Sequence, residues 1–135
     1  MRALDQKLFL AVLFAAVSIP GLALADPIVG VWKTEPDRKK LISHIKISAC
    51  GDKFCGEILS AYDTSGKEVQ TPNIGKQLFW DVASEGNGKY GGGDFWVPMI
   101  NVDVAPQMTL NGNSLSVRGC EHVVCAHQTW TRITP

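Results

Sequence analysis

Leu41-Ile42-Ser43-His44-Ile45-Lys46-Ile47-Ser48-Ala49-Cys50-Gly51-Asp52-Lys53-Phe54-Cys55-Gly56-Glu57-Ile58 is the stretch that decides the fold. Its first half alternates. Leu41, Ser43, Ile45, Ile47 and Ala49 share one face, and Ile42, His44, Lys46 and Ser48 share the other. A period of two is the mark of a half-buried strand. Gly51-Asp52-Lys53 then supplies turn residues, and Phe54, Gly56 and Ile58 resume the alternation against Cys55, Glu57 and Leu59. Two strands joined by a tight turn make a hairpin.

The same grammar runs outward in both directions. Ile28–Thr34 precedes the hairpin, whose own strands are Leu41–Ala49 and Phe54–Ala61. Gln77–Val82, Lys89–Val97, Val102–Leu110, Ser114–Gly119 and Ala126–Ile133 follow it. Tyr62–Gly75 reads as loop, and Asn111-Gly112-Asn113 as a hairpin turn. Pro106 marks an edge, a bulge or a break in its strand. Asp81–Ala83 is ambiguous, and no segment has the period of an amphipathic helix. Eight short strands with mostly short connections predict an all-β chain. A single antiparallel up-and-down barrel of about eight strands leaves no exposed sheet edge. Such a barrel is just wide enough to be filled by side chains or to hold one small ligand. Strands this short predict a small or shallow cavity.

Four cysteines form two copies of one pattern, Cys-x4-Cys: Cys50 with Cys55, and Cys120 with Cys125. Each copy spans a predicted turn. Residues flanking a short hairpin loop meet the Cα separation a disulfide requires, so the local pairings are expected. A zinc site of four thiolates, with His122 and His127 nearby, is the alternative in a reducing compartment.

Met1–Ala25 has the parts of a secretory signal peptide. Arg2 and Lys7 open it, Leu8–Val17 is apolar, Ser18, Pro20 and Gly21 break it, and Ala23-Leu24-Ala25 offers small residues for cleavage. The apolar run is shorter than the ~20 residues a membrane span needs. A periplasmic or secreted location follows, with no membrane span after cleavage. The remainder, residues 26–135, is one domain of 110 residues with 11 basic and 12 acidic side chains. That balance gives no basic excess for nucleic acid and no polybasic face for anionic lipid.

Gly86-Asn87-Gly88-Lys89-Tyr90-Gly91 has the glycine spacing of a dinucleotide fingerprint. That motif needs a helix after it, and strand-like residues follow here, so a turn is the reading. Gly91-Gly92-Gly93 predicts a sharp bend at a barrel corner. Trp32, Phe79, Trp80, Phe95, Trp96 and Trp130 carry most of the aromatic surface. Alternation places Phe79 and Trp80 on opposite faces, and likewise Phe95 and Trp96. One of each pair then faces out or lines an opening. His44 falls on a polar face, and His122 in a turn. There is no nucleophile elbow and no metal-binding His pair, so neither an enzyme nor a cofactor is expected.

Gly30-Val31-Trp32 on the first strand resembles the Gly-x-Trp signature of lipocalin-like (calycin) barrels. The resemblance implies that Gly30, Trp32 and Arg132 close one end, with the guanidinium across the indole. Further stretches occur in the same order: Ile47–Cys50, Cys55–Ile58, Tyr90–Gly93, Val117–Cys120 and Gln128–Arg132. Together they resemble a family of small secreted or periplasmic bacterial proteins, a domain of unknown function grouped with the calycins. Val97 stands before Pro98 where that family tends to carry Asp.

Two functions are expected from these features. The first is binding of a small apolar or amphipathic ligand by Trp32, Trp80, Phe95, Trp96 and Trp130. The second is a protein-interaction module with a filled barrel, an inhibitor or envelope accessory factor. Its contacts would come from Tyr62–Gly75 and Glu121–Val124. An empty or a filled interior separates the two.

Overall fold

The computed structural model describes residues 24–135. Met1–Leu22 and Ala23 of the expected signal peptide lie outside the described residues. Ten strands occur in chain order: β1 (Gly30–Lys33), β2 (Ile42–Cys50), β3 (Lys53–Tyr62), β4 (Glu68–Val69), β5 (Gln77–Gly86), β6 (Lys89–Gly91), β7 (Asp94–Val97), β8 (Val102–Asn111), β9 (Ser114–Glu121) and β10 (Val124–Thr134). No helix is present among the described residues, and Asp81–Ala83 lies within β5.

The sheet closes on itself. All pairings are antiparallel, β10 returns to β1, and β3 pairs with β5. β6 and β7 both lie between β5 and β8, so they are two halves of one wall strand. Counted that way, eight wall strands form an up-and-down barrel, as the alternation predicts. β4 is the addition, a two-residue strip on the edge of β3 inside the predicted loop.

The break between β6 and β7 explains Pro106. Gly91 pairs with Gln107 and Phe95 with Val104, so the unpaired Gly92-Gly93 lies opposite Ala105-Pro106. Proline has no N–H to offer the ladder, and there the neighbouring strand asks for none. Pro106 is buried on the inner face, not at an edge.

Two irregularities re-aim the wall. In β3, Ile45 pairs with Ile58 but His44 with Ser60, so Leu59 is an extra residue. Ile58 and Ala61 therefore both face inward, and Leu59 is left exposed. In β5, Gly56 pairs with Phe79 and Glu57 with Gln77, which turns Leu78 and Phe79 both into the core. A bulge of this kind shifts the side-chain parity that strict alternation assumes.

The interior is filled. Trp32, Trp130, Phe79, Ile45, Ile47 and Met108 are all under 2% exposed. The Phe79 ring lies on Gly56, where a Cβ would come within 2.3 Å of Phe79 Cε1. Glycine is what lets the aromatic side chain lie flat across its own ladder partner on the neighbouring strand. The cysteines pair as Cys50–Cys55 and Cys120–Cys125, one clamp on the β2–β3 hairpin and one on β9–β10. None of the four remains as a free thiol for zinc.

Candidate functional site

The two ends of the barrel are built differently. One end receives the N-terminal segment and the β2–β3, β5–β6 and β8–β9 turns. Ile28 is fully buried there, and its carbonyl accepts a hydrogen bond from Trp32 Nε1 at 2.9 Å. The Arg132 guanidinium lies 4.3 Å over the Trp32 ring. Its Nη1 donates to Val29 O at 3.1 Å, its Nη2 to Pro27 O, and its Nε to Asn113 Oδ1 at 3.1 Å. Gly30 is required here, since a Cβ would meet Thr134 O at 2.4 Å.

The segment continues across the opening. Tyr90 OH donates to Asp26 Oδ1 at 2.5 Å. β1 and β6 lie on opposite sides of the eight-strand ring, so residues 26–29 bridge its diameter. Burial of the phenol, and then its bond to the Asp26 carboxylate, push the Tyr90 pKa well above the usual tyrosine value. This end is a lid stitched down at both edges.

The other end carries the connections 34–41, 63–76 and 98–101 and the tip of the β9–β10 hairpin. Phe95 stands on the inner face here and is half-buried. It stacks on Phe79 with centroids 6.1 Å apart and meets Trp130 at 6.2 Å. Trp130 is buried beneath, with Nε1 donating to Gln128 Oε1 at 2.9 Å. Trp96 is half-buried and packs against the core cluster, donates to Asn101 Oδ1 at 2.9 Å, and has Lys76 Nζ 5.4 Å from its ring. Trp80, opposite Asp94, is on the outer wall.

Of the five aromatics expected to bind ligand, Phe95 and Trp130 come together at this end. Trp32 lies under the lid at the far end, Trp80 is on the outer wall, and Trp96 is half-buried against the core. Two open concavities mark the outer wall. One, of about 340 Å³, is lined by Lys46, Ser48, Cys55, Glu57 and Gln77. The other, of about 410 Å³, includes Glu85, Pro106, Gln107, Arg118 and Cys120.

The loop end also shows what periodicity could not reveal. Met99 and Ile100, in the turn between β7 and β8, are 47% and 58% exposed; Val123 and Val124, at the β9–β10 tip, are 95% and 73% exposed. Both turns are tied locally. Ile100 N and Asn101 N donate to Val97 O, and the Cys120–Cys125 bond ties the other. The ladder register Ala105–Cys120 brings the second tip level with the start of β8. Val123-Val124 falls in the stretch Glu121–Val124 that the sequence offered as a contact surface. Met99 and Ile100 were missed. An apolar pair directly after a proline turn was the signal. The stretch 62–75 is instead polar and self-contained, with Asp63 accepting from Ser65 and Lys67 backbone and from Ser65 Oγ at 2.6 Å. Those bonds hold the Asp63 carboxyl below its ordinary pKa.

A closed eight-strand barrel lidded at one end by an Arg–Trp pair is a lipocalin-like fold. A solved structure bears this out for the fold: "Protein HP1028 from the human pathogen Helicobacter pylori belongs to the lipocalin family" superposes with a TM-score of 0.65 at 16% identity, covering 82% of this chain and 84% of that one. The chain belongs to the bacterial family described as "Uncharacterized protein conserved in bacteria (DUF2147)", whose model matches residues 30–132. No curated protein matches the sequence.

Proposed function

We propose that the protein is an extracytoplasmic binding module that presses the loop end of a filled barrel against an apolar patch on another protein. The observation that carries this reading is the set of exposed aliphatic tips, Met99-Ile100 and Val123-Val124, at one end. Adjacent exposed apolar side chains are costly to leave in water, and burying each against a partner contributes about 1.5–3 kcal/mol. Two cystines and the leader-like N-terminus support the extracytoplasmic setting. The lipocalin-like barrel and the family support binding in preference to catalysis.

A photoreactive residue at Val123 tests the idea in the native envelope. The expected result is one discrete adduct that disappears when Ile100→Asp and Val124→Asp are added. No adduct, or one indifferent to those substitutions, defeats the proposal.

A second reading, a small apolar or amphipathic ligand at the same end, is favoured by the half-exposed Phe95 above Phe79 and Trp130. Titration with fatty acids of graded length tests it. Quenched tryptophan emission with a raised Tm supports this reading, and an unchanged spectrum and Tm count against it.

A further inference from the structure

The two cystines share a spacing but not a setting. Cys50 sits opposite Lys53 and Cys55 opposite Ser48, so the first bond runs diagonally across its hairpin. Cys120 and Cys125 face each other directly in the β9–β10 ladder. Exposure does not separate them, since each pair has one exposed and one half-buried member. The neighbour does. Arg118 Nη2 donates to Cys125 Sγ at 3.4 Å. Lys46 shares a concavity with Cys55, but among the described residues no cationic side chain donates a hydrogen bond to either sulfur of the first pair.

Arg118 and Cys120 also share a groove. Across the β8–β9 ladder, Gln107 pairs with Arg118 and Ala105 with Cys120. With Glu85 and Gly92 these residues line the open concavity of about 410 Å³ on the outer wall. Its walls carry one charge of each sign, Arg118 and Glu85, and the Gln107 amide. That is a lining suited to a polar, zwitterionic chain.

We propose that this groove is a thiol–disulfide exchange site, with Cys120–Cys125 as the reactive bond and a cysteinyl thiol, on a free peptide or on a protein, as its substrate. The incoming thiolate attacks Cys120 Sγ from the groove. The Cys120–Cys125 bond breaks, and its electron pair leaves on Cys125 Sγ beside the Arg118 guanidinium. A nearby cation lowers the pKa of a thiol, and a leaving thiol of lower pKa departs faster. The product is a mixed disulfide at Cys120. A second substrate thiolate attacks the substrate sulfur of that bond and releases Cys120 as thiolate. Two substrate thiols are thereby oxidised to one disulfide, and Cys120 and Cys125 are reduced, taking up the two protons the substrates gave up. Opening the bond also unties the tip that carries Val123 and Val124.

The experiment incubates the native, oxidised protein with glutathione, and in parallel with a reduced, unfolded polypeptide. Both reactions are quenched with iodoacetamide, and each cysteine is mapped by mass spectrometry. Early in the reaction the substrate adduct is expected on Cys120 and the carbamidomethyl group on Cys125, with Cys50–Cys55 intact. The second cystine should open about tenfold faster than the first. Reaction with only one of the two reagents would assign the substrate to that source.

Arg118→Gln should slow the opening about threefold or more, and Arg118→Lys, which keeps the charge, should restore most of the rate. The proposal is overturned if both cystines open at one rate, if the adduct forms on Cys125, or if Arg118→Gln behaves as the unsubstituted protein. The site of attack is read on the unsubstituted chain, so that arm stands even if a variant folds poorly.

Discussion

Single side chains make the sharpest demands at Gly56 and His44. At Gly56 the neighbouring strand lays the Phe79 ring onto bare backbone, so a methyl group has nowhere to go. Gly56→Ala should destabilise the fold by about 1–3 kcal/mol through overpacking, read as a lower urea midpoint at unchanged m-value. His44 lies on the outer face against Tyr62, with ring centroids 4.4 Å apart. Its pKa is held down first by desolvation and then by Lys33, with Glu68 opposing. The folded state therefore binds fewer protons than the unfolded chain. The resulting stability is present above the unfolded pKa of about 6.5 and is lost as pH falls below it. A Tm series from about pH 7.5 to 5 should fall more steeply for the unsubstituted protein than for His44→Gln. The sequence placed His44 on a polar, outward strand face. It could not supply the Tyr62 ring, which arrives only because Leu59 shifts the register of the partner strand.

At the scale of elements, strands were legible because water acts on every second residue alike. The stretches read from alternation reappear as the eight wall strands, and the Cys-x4-Cys repeats as hairpin clamps. Departures from strict alternation were not legible. The doubled inward residues Leu78 and Phe79, and the halves on either side of Gly92-Gly93, depend on neighbours distant in the chain. The candidate site suffered the same blindness. Aromatic residues draw attention by size, but size does not tell which of them are buried: Trp32 and Trp130 lie within the core. The exposed tips became visible only once the turns were assigned to one end. Each clamp closes a loop of a few residues. Replacing Cys50 and Cys55 together by Ser should cost roughly 2 kcal/mol, measured by denaturant unfolding, and leave the barrel assembled. A loss above about 5 kcal/mol would mean the clamp holds more than its own hairpin.

For the whole molecule, the decisive contact is the one between its first and last strands. Val31 pairs with Thr134 and Trp32 with Arg132, and the lid over the closed end hangs from the same arginine. A chain ended after Gln128 loses Trp130, Arg132 and that pairing at once. It should show no native near-UV circular dichroism and no cooperative melt, whereas a native spectrum would show that the remaining wall closes without the seam. The other seven joins between wall strands link neighbours along the chain; this one waits for the final residues to be made. A nascent polypeptide of this kind stays threadable for almost its whole synthesis, because the stave that completes the cask is the last to emerge.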